Sequence, residues 1–209
     1  MKVDLHFHFR RTKDDKIERL ESMVRRAEQC GIRGIALLDH NYFPTDDELD
    51  VARKAAPLIT FWRACELDVI DESRHVKSHV VVVSETGLPF DISHGVQTSG
   101  ISQLAEMTKG DDVLTMLAHP FRSDRLYLSF DLFQFTPKLI DAVGRTANQR
   151  ELRRVVALAS AFGIGLASAS DSHSTRHIGR HWMDFHEDAK TVADLKKMVR
   201  LSHYSIVAG

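Results

Sequence analysis

Two histidines and an aspartate alternate with apolar residues near the start of this 209-residue chain, in Lys2-Val3-Asp4-Leu5-His6-Phe7-His8-Phe9. Val3, Leu5, Phe7 and Phe9 share one parity and Asp4, His6 and His8 the other, which is the period of a strand. His6 and His8 then project from one face, roughly 6.5 to 7 Å apart along the chain. Imidazoles so placed can converge on one metal ion or on two adjacent ones. The plain alternative is a strand whose histidines face solvent. The same residue types recur farther on, as Asp39-His40, Glu66, His79, His119 and Asp171-Ser172-His173. There are 12 histidines in all, and neutral imidazole is the commonest side-chain metal ligand.

The elements that must position these residues alternate between strand and helix. Ile17, Leu20, Val24 and Ala27 recur at helical spacing up to Gly31, a C-cap. Ile32 to Leu38 reads as a strand ending on Asp39-His40. Thr45-Asp46-Asp47-Glu48 is a capping box that opens a second helix. Leu58 to Val69 contains a strand that carries Glu66, whose carboxylate needs a partner if it is buried. His79 starts the β-branched run Val80 to Val83, and residues 84 to 98 read as loop. A short helix holds Ile101, Leu104 and Ala105, and Val113 to Ala118 is a strand stopping at His119-Pro120. Phe130 to Pro137 reads as a lid or the wall of a pocket. A strand is expected over Leu139 to Val143, then a helix with Leu152, Val155, Val156 and Ala159 on one face. Ile164 to Ser168, a helix over Thr191 to Arg200 and a strand over Tyr204 to Val207 complete the chain. Alternating elements of this kind imply parallel βαβ units. About seven of them in one domain imply a barrel, with Asp39-His40, His119 and Asp171-His173 at the C-terminal ends of strands, where barrel enzymes build their sites.

Composition sets limits on partners and compartment. A length of 209 residues fits a single domain over residues 1–209. With 28 Lys plus Arg against 29 Asp plus Glu, nothing calls for a nucleic-acid or membrane partner. No leader or membrane-spanning run is expected, and Cys30 and Cys65 read as reduced packing residues of a cytoplasmic protein.

Taken in order, the motifs resemble those of the PHP (polymerase and histidinol phosphatase) superfamily of metal-dependent phosphoesterases. Asp4-Leu5-His6-Phe7-His8 is similar to the first, Gly34 to His40 to the second and Cys65-Glu66-Leu67 to the third. Ser78-His79-Val80, Leu117-Ala118-His119-Pro120 and Ala169-Ser170-Asp171-Ser172-His173 follow, trailed by Ile178-Gly179. The resemblance spans about residues 3 to 180. It implies a distorted seven-stranded β/α barrel of the TIM-like kind and a cluster of two or three divalent ions, Zn²⁺, Mn²⁺ or Fe²⁺. By the same resemblance, His6, His8, Glu66 and Asp171 hold one ion, and Glu66 bridges to a second bound by His79 and His119. His40 and His173 hold a third with a ligand from the first loop. There the chain departs from the pattern: Thr12-Lys13-Asp14-Asp15 replaces the usual Ser-Asp-Gly, leaving Asp14 or Asp15 as the substitute. Leu38 also stands where threonine is common, and the usual glycine after the His79 strand is absent.

Chemically, such a cluster lowers the pKa of bound water and clamps phosphoryl oxygens, with a bridging carboxylate keeping two ions about 3.5 to 4 Å apart. Asp39 is expected to orient an imidazole rather than to bind metal. Arg122, just past His119-Pro120, is the first candidate for substrate phosphate, followed by Arg176 and His177, with Arg10 and Arg11 behind them. A solvated surface charge is the plain reading of each. His75, His94, His181, His186 and His203 match no motif and read as surface residues. The expected activity is hydrolysis of a small phosphomonoester, such as a sugar, nucleotide or amino-alcohol phosphate. Other readings are a phosphotyrosine-protein phosphatase, an exonuclease or nucleotide phosphatase, and a non-catalytic metal-stabilised binding module. The short stretch between His79 and His119 leaves little room for an inserted substrate domain.

Overall fold

The computed structural model describes residues 1–9, 16–121, 128–143 and 148–208. In chain order these form β1 (Lys2–His8), α1 (Lys16–Gln29), β2 (Gly34–Leu38), α2 (Asp46–Ala55), β3 (Thr60–Asp71), β4 (Val76–Ser84) and β5 (Val96–Gln97). There follow α3 (Ile101–Met107), β6 (Val113–Ala118), β7 (Leu139–Val143), α4 (Gln149–Phe162), β8 (Gly165–Ser168), β9 (His181–Phe185), α5 (Val192–Arg200) and β10 (Tyr204–Ala208). The strands make one mixed sheet in the order β10-β9-β1-β2-β3-β4-β6-β7-β8, with β5 added beside β3. The sheet curls until its ends nearly meet. Phe7 bridges to Ser172 just beyond β8, and the Ser168 hydroxyl donates to the Val207 carbonyl at 2.8 Å. The fold is an α/β barrel, distorted and not fully closed.

Two expectations need correction here. The sheet has ten strands rather than seven, because the short β5 and the antiparallel β9–β10 pair join it. It is not all parallel either, since β4 runs antiparallel to both β3 and β6. A hairpin explains the reversal. Only the turn at 72–75 separates β3 from β4, too short for a crossover helix. The reversal has a consequence for His79. It lies near the start of β4, opposite Asp68 and Ala118, and so reaches the rim where the parallel strands end.

Burial falls into an inner core and two outer layers. Leu38, Trp62, Ala64, Val81, Val83, Leu114, Met116, Leu139 and Ala167 fill the barrel, together with Val192, Leu195 and Met198 of α5. Outside the sheet, α1 and α2 cover β1 and β2, and α3 and α4 cover the far side. The capping box of α2 is formed, with Thr45 Oγ1 accepting from Glu48 N–H and Glu48 Oε2 from Thr45 N–H. On α4 the expected apolar face is rotated, leaving Val155 and Ala159 buried and Val156 exposed. Phe130, Leu132 and Phe135 are buried in an outer layer, so the Phe130–Pro137 segment is part of the packed shell; Phe133 alone of the three phenylalanines is exposed. His181 is half-buried on β9 rather than on the surface, and burial beside Arg180 lowers its pKa. Among the described residues, no helix is long and apolar enough to cross a membrane.

The strict alternation of β1 hides a bulge. Its pairing with β2 slips by one residue between Asp4 and Phe7. Val3 and Leu5 therefore face the inner core, whereas Phe7 and Phe9 face the outer layer under α1 and α2. The slip turns His6 and His8 towards the barrel mouth, the re-aiming that bulges provide beside functional sites.

Gly34, at the start of β2, is held by close packing. A Cβ there would lie 2.6 Å from the ring of buried Trp62 and 2.9 Å from Met1 Cε. Gly34→Ala should cost about 1–3 kcal/mol of stability through overpacking, measurable as a lower denaturant midpoint at unchanged slope.

Candidate metal centre

Every described ligand candidate meets at the barrel mouth around one carboxylate. Glu66, on β3, is 1% exposed. Its Oε2 lies 3.0 Å from His8 Nε2, 3.4 Å from His6 Nε2 and 3.3 Å from His40 Nδ1. Its Oε1 lies 2.9 Å from His79 Nδ1 and 3.1 Å from His119 Nε2. Asp171 Oδ1 approaches His6 and His8 Nε2 at 3.6 and 3.5 Å, and the His173 ring packs on His8 with centroids 4.2 Å apart. Asp14, Arg10, Arg11 and Arg122 lie outside the described residues.

Local backbone geometry delivers these side chains. After β2 the chain stays against β3, with Asn41 N–H bonded to Glu66 O and Glu66 N–H to Asp39 O. Asn41, His119 and Asp171 then turn through positive φ (48°, 27° and 47°) just beyond β2, β6 and β8. Non-glycine residues there are strained, and such strain persists where the surroundings over-determine it. Asp4 Oδ1 accepts from the backbone N–H of both His6 and Ser170 at 3.1 Å, tying the bulge to the segment that carries Asp171.

The donor set fits divalent cations. His6, His8 and Asp171 offer ligand atoms within 4.8 Å of one another, as do His6, Glu66 and His119, and His8, His40 and His173. Ligand atoms about 2.0–2.2 Å from a tetrahedral ion lie some 3.3–3.6 Å apart, close to the 3.0, 3.3 and 3.4 Å found around Glu66 Oε2. Two imidazole nitrogens, His6 and His8 Nε2, face each other at 3.1 Å. Asp4, Asp39, Glu66, Asp68, Asp141 and Asp171 surround six imidazoles, a concentration of negative charge that cations would relieve. Burial grades from His6, His8 and Glu66 at the floor to His40 and His173, exposed at the mouth.

Asp39 acts on a different ring from the adjacent one. Its Oδ1 accepts from His40 N–H at 2.9 Å, but the imidazole it faces is His8, whose Nδ1 is 3.4 Å away. Arg176 is exposed, and His177 is turned to Ser174, with Nδ1 3.3 Å from its hydroxyl. Three residues escaped the sequence reading. Asp68 lies two positions beyond Glu66 on the same strand face, and forms a further group with His40 and His79. Lys77, two positions before His79, reaches Asp68 Oδ2 at 3.1 Å and places a half-exposed cation at the mouth. Asp141, buried on β7, acts electrostatically on His6. The signal for Asp68 and Lys77 was the i, i+2 logic applied only to His6 and His8.

The charges of the cluster shift one another's protonation. Burial alone would lower the His6 pKa, but Glu66 foremost, then Asp171, raise it to about 9. Burial likewise opposes the Glu66 charge, and His6 overrides it, holding the carboxyl well below its usual range. Asp4, where burial dominates, is pushed up to about 6. Cys65, buried beside Glu66, has its thiol pushed far above the usual range, which makes it inert.

The PHP domain family model matches residues 4–195, and the chain belongs to that family. PsfC from Pseudomonas syringae is similar in structure at TM-score 0.67 and 16% identity, over 100% of this chain and 91% of that one. An amidohydrolase from Chromobacterium violaceum, solved with sulfate and no metal, matches at TM-score 0.64 and 14% identity, over 100% and 98%. A Bifidobacterium adolescentis protein, provisionally named a metal-dependent phosphoesterase, matches at TM-score 0.55 and 13% identity, over 83% and 88%. No curated protein matches the chain in sequence.

The raised His6 pKa fixes the sign of a pH effect. Its protonated form is favoured by folding, so this stabilisation is present below the unfolded value near 6.5 and lost as pH rises through about 9. Metal must displace that proton, so affinity should rise over the same window. Melting of the metal-free chain should therefore fall between these limits, while the upward shift produced by added Mn²⁺ grows. A pH-independent Mn²⁺ shift would contradict the assignment of His6 to the cluster.

Proposed function

We propose that this chain is a metal-dependent hydrolase that cleaves a small phosphomonoester at a cluster of two or three divalent ions. The observation carrying the proposal is the two-sided engagement of Glu66, one oxygen among His6, His8 and His40 and the other between His79 and His119. That is the arrangement of a bridging ligand. His6, His8, Glu66 and Asp171 would hold one ion, and Glu66, His79 and His119 a second. His40 and His173 would hold a third with Asp14, and the donor set suits Zn²⁺, Mn²⁺ or Fe²⁺. Bound there, the ions would supply a water acidified to near-neutral pKa and positive charge for the phosphoryl oxygens.

The chain's own groups do the rest. Asp39 holds the His8 ring by Nδ1, leaving Nε2 directed at Glu66 and Asp171. Lys77 at the mouth, with Arg122, Arg176 and His177, would receive the substrate phosphate. Arg19, whose guanidinium donates to the His173 carbonyl, fixes the backbone of a mouth ligand. The exposed His40 and His173 favour catalysis over a purely structural role, because structural metal sites close around about four ligands and this one stays open. The near-neutral charge disfavours long nucleic acid as substrate. The free cysteines suit a reducing, cytoplasmic setting.

Metal content by mass spectrometry, measured beside hydrolysis of p-nitrophenyl phosphate, tests the proposal. The wild type should carry two or three ions per chain. Glu66→Ala should lose most of them, and turnover should fall by more than about 100-fold, beyond the loss typical of an outer-shell partner. One ion or none in the wild type, unchanged in the variant and not restored by added metal, would favour a non-catalytic binding module.

A further inference from the structure

We propose that Asp68 is a positioning residue that fixes the tautomer and tilt of His79, so that Nδ1 is the nitrogen offered to the metal cluster. This inference rests on the metal-cluster reading above. His79 lies between two carboxylates, with Nδ1 2.9 Å from Glu66 Oε1 and Nε2 3.3 Å from Asp68 Oδ1. A neutral imidazole has one lone pair and one N–H, so one nitrogen can accept a metal while the other donates. Glu66 Oε1 already gathers His119 Nε2 at 3.1 Å, which puts two further donor atoms on the Nδ1 side. On the Nε2 side, His40 Nδ1 is 3.9 Å from Asp68 but only 3.3 Å from Glu66 Oε2, so His40 also belongs to the Glu66 group.

Asp68 is built to accept from a ring. Its Oδ2 is taken by Asn41 Nδ2 at 3.0 Å and Lys77 Nζ at 3.1 Å, and its backbone N–H donates to Asn41 Oδ1 at 2.8 Å. These contacts clamp the carboxylate from the β2 loop and from β4. Oδ1 is left closed to solvent without a hydrogen bond of its own, beside the His79 and His40 rings. A buried acceptor of this kind costs stability unless a donor completes it. His79 Nε2–H is that donor once a cation holds Nδ1. The Asn41 end of the clamp sits at positive φ, on the strained turn that also carries His40. Asp68 thereby couples the β2 loop to the ligand on β4.

Zinc titration calorimetry and long-range ¹H–¹⁵N correlation of the histidine rings, both on the full chain, test the assignment. In the Zn²⁺-loaded wild type, His79 should carry its proton on Nε2. Asp68→Ala should weaken the ion bound by His79 by about 10- to 100-fold, with the number of ions at saturation unchanged. Asp68→Asn, whose one amide oxygen is claimed by the Asn41 and Lys77 donors so that its NH2 faces Nε2, should weaken that ion about as much as Asp68→Ala. Three results would overturn the proposal: a proton on Nδ1 in the loaded wild type, equal affinities in Asp68→Ala and wild type, or one ion fewer at saturation in both variants. The last would make Asp68 a ligand. Failure of the wild type to bind Zn²⁺ at all would instead overturn the cluster reading itself and this proposal with it.

Discussion

A buried carboxylate facing five imidazoles is the constraint around which the barrel mouth is built. Glu66 contacts His6, His8, His40, His79 and His119, which come from or follow four different strands. Desolvating one carboxylate costs several kcal/mol, and the attraction of its partners repays this only when their geometry is good. The imidazoles therefore need support of their own. Asp39 supports His8, Asp4 fixes the backbone of His6, and backbone pairing beyond β2 holds His40 beside Glu66. Strain at Asn41, His119 and Asp171 coincides with the polar cluster: the Asn41 N–H donates to Glu66 O, and the His119 and Asp171 side chains reach Glu66 and the His6–His8 pair.

Much of the arrangement was legible in the sequence, because the chemistry sits on local patterns. The His-x-His pair, the capping box at Thr45, and strands ending on Asp39-His40 and His119 each depend on a few neighbouring residues. All eight ligand candidates that the structure describes gather at one place. What local pattern could not reveal were the long-range choices. The bulge in β1 leaves the sequence alternation intact while reversing which parity faces the barrel. In a regular strand Val3, Leu5 and Phe7 would share a face, and the histidines would point away from it. The order of β1 is therefore a property of its pairing with β2, which only the folded sheet defines.

The same holds for β4. A run of four valines reads equally well as a parallel or an antiparallel strand, and only the short turn after β3 decides between them. Its reversal explains why His79 lies near the start of its strand whereas His40, His119 and Asp171 follow theirs. Asp68 and Lys77 then become neighbours of His79 across and along the hairpin. Neither stood out in sequence, since charged residues near a turn are ordinary surface features.

The hairpin also settles how the mouth can be both rigid and open. Paired strands β3 and β4 present Glu66, Asp68, Lys77 and His79 from one continuous ladder, so their mutual distances are set by the sheet. Sites carried on strands hold geometry better than sites carried on loops. His40 and His173, by contrast, stand on the segments after β2 and β8 and are exposed. One side of the cluster is thus fixed by ladder geometry, and the other is carried by turns that face solvent. Lys77 stands half-exposed at the mouth, whereas His6 and Glu66 form the buried floor. Half-exposed Lys77 and buried Glu66 stand on paired strands, and it is the reversal of a single strand that brings them to the same face.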